Sequence, residues 1–317
     1  MRNLTVRRFV PFALLVTACS GATTSDLLSP PDGDAGPATP SDASHTSRDG
    51  DTGTQTHADS GPLDAAPSTE AGSAPVVHIH VVAVQTPVGG GTSQETPTDQ
   101  RVGIMGLTLL KDPADPSPLV VLARATPIDT PYNAGSDTVI GSVPASALPA
   151  GSYTVVRVPV AYVNFTVAGT YHLAGVGYAG DFSDVIALTT GVTLDGATRA
   201  RGWYSTAFSI NGVMKGSAMT GSNADIAQPG STSGIALDLT GPVAAYVFGV
   251  NLTIPPDITS DMDIVFTVNT YEDFHWQDEN DTGYQTGVFD VSAGAIEPVT
   301  QLGANSFTVA PTPASGS

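Results

Sequence analysis

The 317-residue chain is short of the residues that several protein classes need. It has one cysteine, two lysines and two tryptophans. A lone cysteine excludes an internal disulfide and a thiolate zinc cluster. Eleven basic against 30 acidic side chains, a formal net charge of -19, exclude a nucleic-acid binder, because phosphate recognition needs a basic face. Charged residues make up only 13% of the chain, about half the usual share. No apolar run reaches the ~18–20 residues of a membrane-spanning helix. Apolar stripes of helical period with caps are missing too, since the 34 Gly and 25 Pro interrupt every candidate window.

What is present begins with an address. Arg2, Arg7 and Arg8 form a basic n-region, and Phe9 to Val16 a short apolar core. That pattern predicts a signal peptide over residues 1–18. Val16-Thr17-Ala18-Cys19 closes it, and this quartet resembles the lipobox of bacterial lipoproteins. The only cysteine of the chain stands where the lipobox requires one. The resemblance implies that Cys19 is the lipidated mature N-terminus, carrying palmitate-type acyl chains into a bilayer. Two or more chains give stable attachment where one is marginal. Ser20, a non-Asp residue, implies the outer membrane by that family's sorting rule, with the body facing the periplasm or the cell surface.

Residues 20–75 are almost wholly Ser, Thr, Ala, Gly, Pro and Asp, with nine acids against Arg48 alone. Such a segment buries too little apolar area to offset its ordering entropy, which predicts a disordered acidic tether over 19–75. Its r.m.s. span as a flexible chain is about 40 Å. In composition it is similar to the Asp/Ala/Gly/Pro tethers of myxobacterial lipoproteins.

From Val76 β-branched residues dominate. Strand-like runs recur at Val76 to Val84, Val102 to Leu110, Leu119 to Ala125, Thr138 to Val143, Tyr153 to Val167, Tyr171 to Tyr178, Val185 to Leu188, Gly202 to Ile210, Ile235 to Leu239, Val243 to Ile254, Met262 to Tyr271 and Val288 to Val291. Turn signals separate them, and Asn211-Gly212 is the sharpest, suited to a type I′ hairpin. Many short strands without helices between them predict an all-β fold: an antiparallel β-sandwich, jelly-roll-like, over 76–310. One sandwich is favoured over two immunoglobulin-like halves, which would need a boundary near 190–200. A frayed tail is expected over 311–317.

The densest polar-aromatic stretch runs from Tyr271 to Gln285 and is expected to be a long loop. Asp278, Asn280 and Thr282 alternate and Gly283 follows, as in a calcium loop, with Asp281 beside them. Asp278, Asn280 and Asp281 are therefore the candidate metal ligands and calcium the candidate cofactor. Against this, Phe289 stands where such a loop has its bidentate Glu. In a second reading Tyr271, Trp276 and Tyr284 are exposed and stack on sugar faces, with polar neighbours binding hydroxyls. A third has Trp276 folded back as a lid on the sandwich end.

Other motifs promise less. His78 and His80 share one face of a strand, about 6.5–7 Å apart; a solvent face opposite Val77, Ile79 and Val81 is expected, with zinc ligation the alternative. Gly230-Ser231-Thr232-Ser233-Gly234 has the outline of a nucleophile elbow but Thr in the nucleophile place. Trp203 is expected to pack in a core or at an edge. The sequence thus predicts a lipid-anchored envelope protein with a binding or structural β body, whose partner is a glycan or an envelope protein. A jelly-roll polysaccharide hydrolase using Asp273, Asp278 or Glu279, and a calcium-stabilised adhesion module, are the alternatives.

Overall fold

A computed structural model describes residues 74–314, except 216–217, 231–232, 282 and 293–294. The signal segment, Cys19 and the acidic stretch to residue 73 lie outside the described residues, as do Thr282 of the calcium-like pattern and Ser231 and Thr232 of the elbow-like one.

The chain is all-β. Its strands are β1 (Val76–Val84), β2 (Gln94–Glu95), β3 (Asp99–Leu110), β4 (Leu119–Pro131), β5 (Asp137–Pro144), β6 (Gly151–Leu173) and β7 (Val176–Ala187). Next come β8 (Val192–Leu194), β9 (Ala197–Arg199), β10 (Tyr204–Ile210), β11 (Val213–Met214), β12 (Met219–Gly221) and β13 (Ile235–Asp238). The last are β14 (Ala244–Ile254), β15 (Met262–Asn269), β16 (Phe274–Trp276), β17 (Asp290–Ser292), β18 (Val299–Gln301) and β19 (Ser306–Pro313). One 3-10 turn, Ala145–Ala147, precedes β6.

A four-stranded sheet, β19-β15-β1-β5, faces a ten-stranded sheet whose spine is β11-β10-β7-β6-β14-β13, with β3 and β4 running off β6. Most pairs are antiparallel; β1 with β15 and β17 with β6 are parallel. Period-two alternation decides which face goes inward. Val77, Ile79, Val81 and Ala83 of β1 are buried, and so are Ile264, Phe266 and Val268 of β15. They join Val156, Val158, Phe165 and Phe248 of the larger sheet in one core cluster. Phe248 meets Phe266 edge-on at 6.4 Å and stacks on Phe307 at 4.3 Å, linking the sheets directly. A smaller cluster of Ala161, Ala187, Val192 and Trp203 completes the packing, with the Arg199 guanidinium 4.1 Å over the Trp203 ring.

Three local expectations need correction. Tyr171 to Tyr178 is a hairpin, not one strand: β6 turns into β7 through Ala174 and Gly175, with φ of 52° and 80°. No Asn-Gly marks that turn, whereas Asn211-Gly212 forms its hairpin as expected, with φ of 53° and 74°. The Tyr271–Gln285 stretch is not wholly loop, because β16 lies inside it, paired with β2 and β18. Finally, the tail is strand up to Pro313, where Pro311, Thr312 and Pro313 pair with Ile264, Asp263 and Met262. β19 is an edge strand, where the missing proline N–H costs no ladder bond.

Candidate functional site

The stretch from Tyr271 to Phe289 is pinned by its aromatic residues. Phe274, Trp276 and Phe289 are buried, Trp276 at 5% exposure. Phe274 lies 5.3 Å from Phe165 and 5.1 Å from Phe289, and Trp276 5.8 Å from Phe289. Phe289 in turn meets Phe182 of β7 at 5.4 Å. Trp276 therefore closes an end of the core and offers no face to a sugar, which corrects the exposed-platform expectation for this residue. Tyr271 and Tyr284 are half-buried. The Tyr284 ring packs on His172 at 5.0 Å.

The carboxylates are turned to the same task. Trp276 Nε1 and the Gly287 backbone N–H each donate to Asp278 Oδ1 at 3.1 Å, and Ser93 Oγ donates to Oδ2. The Ser93 hydroxyl, then these two donors, hold Asp278 below the usual carboxylate range. Glu297, 1% exposed, accepts the Glu279 N–H at Oε1 and the Asp290 N–H at Oε2, both at 2.8 Å. Burial pushes the Glu297 carboxyl up. Asp278 is thus the internal anchor of a turn. Asn280 and Asp281 are exposed, and no set of three or more His, Cys, Asp or Glu among the described residues is placed to hold a metal ion.

Asp273 is fully buried between β3 and the inner face, where Gln100 Nε2 donates to its Oδ2 at 3.0 Å. Burial pushes its carboxyl up to about 7. It opens on no cleft. Two surface depressions are formed elsewhere: one by Gly249, Val250, Asn251, Phe307, Thr308 and Val309 at the β14 bulge, the other around Asn164, Asp184, Asp195 and Ser205. Neither is lined by Asp273, Asp278 or Glu279, the acids that a hydrolase reading would use.

The histidine pair of β1 stands as expected on the solvent side. His78 Nδ1 shares a 2.8 Å hydrogen bond with Ser142 Oγ; His80 Nδ1 lies 2.8 Å from Asp137 and its Nε2 3.7 Å from Asp263. These contacts tie β1 to both neighbouring strands.

One pair escaped the sequence reading. His172, at the end of β6, donates from Nε2 to Asp290 Oδ1 at 2.7 Å, and the Gln285 N–H donates to Oδ2 at 2.6 Å. Asp290 is fully buried. The two residues are 118 positions apart and meet only because β17 pairs in parallel with β6. A carboxylate-oriented imidazole is a general-base element. Here its ring is covered by Tyr284, with Gly177 and Gly283 close against it.

The fold and these contacts define an all-β sandwich with an internally bonded polar cap. Comparison with protein-family models, with characterised proteins and with solved structures finds no match to the chain.

Proposed function

We propose that the protein is a lipid-anchored lipoprotein of the outer membrane, held through acylated Cys19, whose β body serves binding or structure rather than catalysis. One observation carries the non-catalytic part. The acids and the tryptophan singled out as chemistry, Asp273, Asp278 and Trp276, are consumed by hydrogen bonds and packing within the cap. A catalytic pair of carboxyls would need a cleft between them. The anchor part is supported by the lipobox-like Val16-Thr17-Ala18-Cys19 and by the position of the lone cysteine.

The partner is a glycan or an envelope protein, met by the exposed strand faces and hairpins. An acidic chain of net charge -19 favours neutral or cationic partners over polyanions. Presenting the full-length protein in detergent to envelope fractions and to an array of neutral and acidic glycans tests this. Saturable retention on one class supports it; hydrolysis of a polysaccharide in the same array would replace the binding reading with an enzymatic one.

A further inference from the structure

Two buried side-chain oxygens among the described residues, Gln100 Oε1 and Asp273 Oδ1, have no hydrogen-bond partner. Their sister atoms are joined, Gln100 Nε2 donating to Asp273 Oδ2 at 3.0 Å. The amide cannot be turned over to mend this. Its Nε2 also donates to the Gly303 carbonyl at 3.2 Å, and a flip would aim the amide oxygen at that carbonyl and at Oδ2 together. With the amide so fixed, an ionised Asp273 leaves two acceptors orphaned in a site that is 0% and 1% exposed for the two residues. Leaving such groups unpaired costs the full desolvation penalty of each. A single proton removes both deficits.

We propose that Asp273 is a neutral acid in the folded protein and donates its carboxyl proton to Gln100 Oε1, closing a two-bond acid–amide ring that latches the cap to the sheet. Gln100 lies on β3 and Asp273 at the entry to β16, while Gly303 lies between β18 and β19. The ring therefore ties both ends of the segment 271–305 to the large sheet at one point. The Thr270 hydroxyl, which donates to the Tyr132 carbonyl at 2.9 Å, adds a neighbouring tie.

Burial favours the neutral form, against the Gln100 amide and the backbone N–H groups of Asp273 and Gly303, which favour the carboxylate. The titratable groups whose field Asp273 reaches are the phenols of Tyr132, after β4, and Tyr246, on β14, both buried and uncharged. Asp99 and Glu272, the nearest acids along the chain, accept instead from Asn133 Nδ2 at 2.8 Å and Gln94 Nε2 at 2.5 Å. No Lys, Arg or His among the described residues forms an ion pair with Asp273. Burial lifts its carboxyl from 3.8 to about 7, so the ring holds in acid and opens as the pH passes neutrality.

The sign follows from linkage. A carboxyl raised in the native state gives stability that is complete below the unfolded value, 3.8, and lost as the pH rises through about 7. Between pH 5 and pH 8 this group alone raises the unfolding equilibrium constant by roughly two orders of magnitude.

Asp273→Asn is the discriminating variant, because an asparagine amide makes the same two-bond ring with Gln100 at every pH. Urea unfolding of the full chain and Asp273→Asn is compared at pH 5 and pH 8. The proposal expects the variant's unfolding constant to rise about 100-fold less than the wild type's between pH 5 and pH 8. Equal pH slopes would overturn it. Infrared spectroscopy of the aspartate-labelled Asp184→Asn protein gives a readout independent of Asp273→Asn folding. A protonated-carboxyl carbonyl stretch at pH 5.5 that disappears around pH 7 supports the ring; only carboxylate bands at pH 5.5 refute it.

Discussion

The indole of Trp276 donates to Asp278 Oδ1 at 3.1 Å, two residues along the chain. That short bridge turns an acidic, aromatic segment inward: the ring goes into the core and the carboxylate becomes the hub of a turn. Trp276→Ala removes a large buried side chain from contact with Phe274 and Phe289. A loss of about 3–5 kcal/mol in urea unfolding is expected, against a much smaller one for Tyr284→Phe, which keeps the ring on His172.

His172 Nε2 donates to Asp290 Oδ1 at 2.7 Å, with Asp290 wholly inside. His172→Ala leaves the buried Oδ1 without its donor, and a cost of about 1–3 kcal/mol is expected in urea unfolding. The double variant His172→Ala/Asp290→Ala should recover part of that loss, because no buried acceptor is left unpaired. A double variant no more stable than the single one would mean that the loss is one of packing alone.

Arg201 binds three backbone carbonyls: Leu188 from Nε at 2.7 Å, Leu239 from Nη1 at 2.6 Å and Gly241 from Nη2 at 2.5 Å. It ties the end of β7 to the β13–β14 connection. A lysine keeps the charge but lacks the fork. Arg201→Lys is expected to lose about 1–3 kcal/mol in urea unfolding, with faster hydrogen exchange at residues 239–244. Unchanged exchange there would remove the assigned role.

Burial also raises Glu95 and Asp184 to about 7. Both contribute stability in acid that fades as the pH climbs through neutrality, by the same sign as Asp273. The midpoint of thermal unfolding should therefore be higher at pH 5 than at pH 8, and Glu95→Gln and Asp184→Asn should each flatten the profile.

Much of this architecture is legible in residue order. The alternation of Ile264, Phe266 and Val268 with Asp263, Val265 and Thr267 shows which face of β15 is wet, and His78 and His80 fall on the expected side of β1. Asn211-Gly212 announces its turn by backbone chemistry. The Ala174-Gly175 turn does not, because alanine carries no signal for positive φ. β16 is hidden for a related reason: Phe274-His275-Trp276 sits among acids, and polarity of neighbours reads as solvent. The partners of those acids, the Ser93 hydroxyl, the Gly287 N–H and the Gln100 amide, arrive from distant segments or from the main chain, which composition cannot show. The edge strand β19 is masked by Pro311 and Pro313, which sequence reasoning takes as breakers and an edge tolerates.

The proposed membrane anchoring rests on Cys19. Intact-mass spectrometry of the protein extracted from the membranes of its own cells tests that directly. The account predicts a chain beginning at Cys19, heavier than residues 19–317 by the mass of a diacylglyceryl group with or without a further acyl chain. An unmodified thiol at Cys19, or a mature chain that begins elsewhere and washes off membranes in plain buffer, would contradict it.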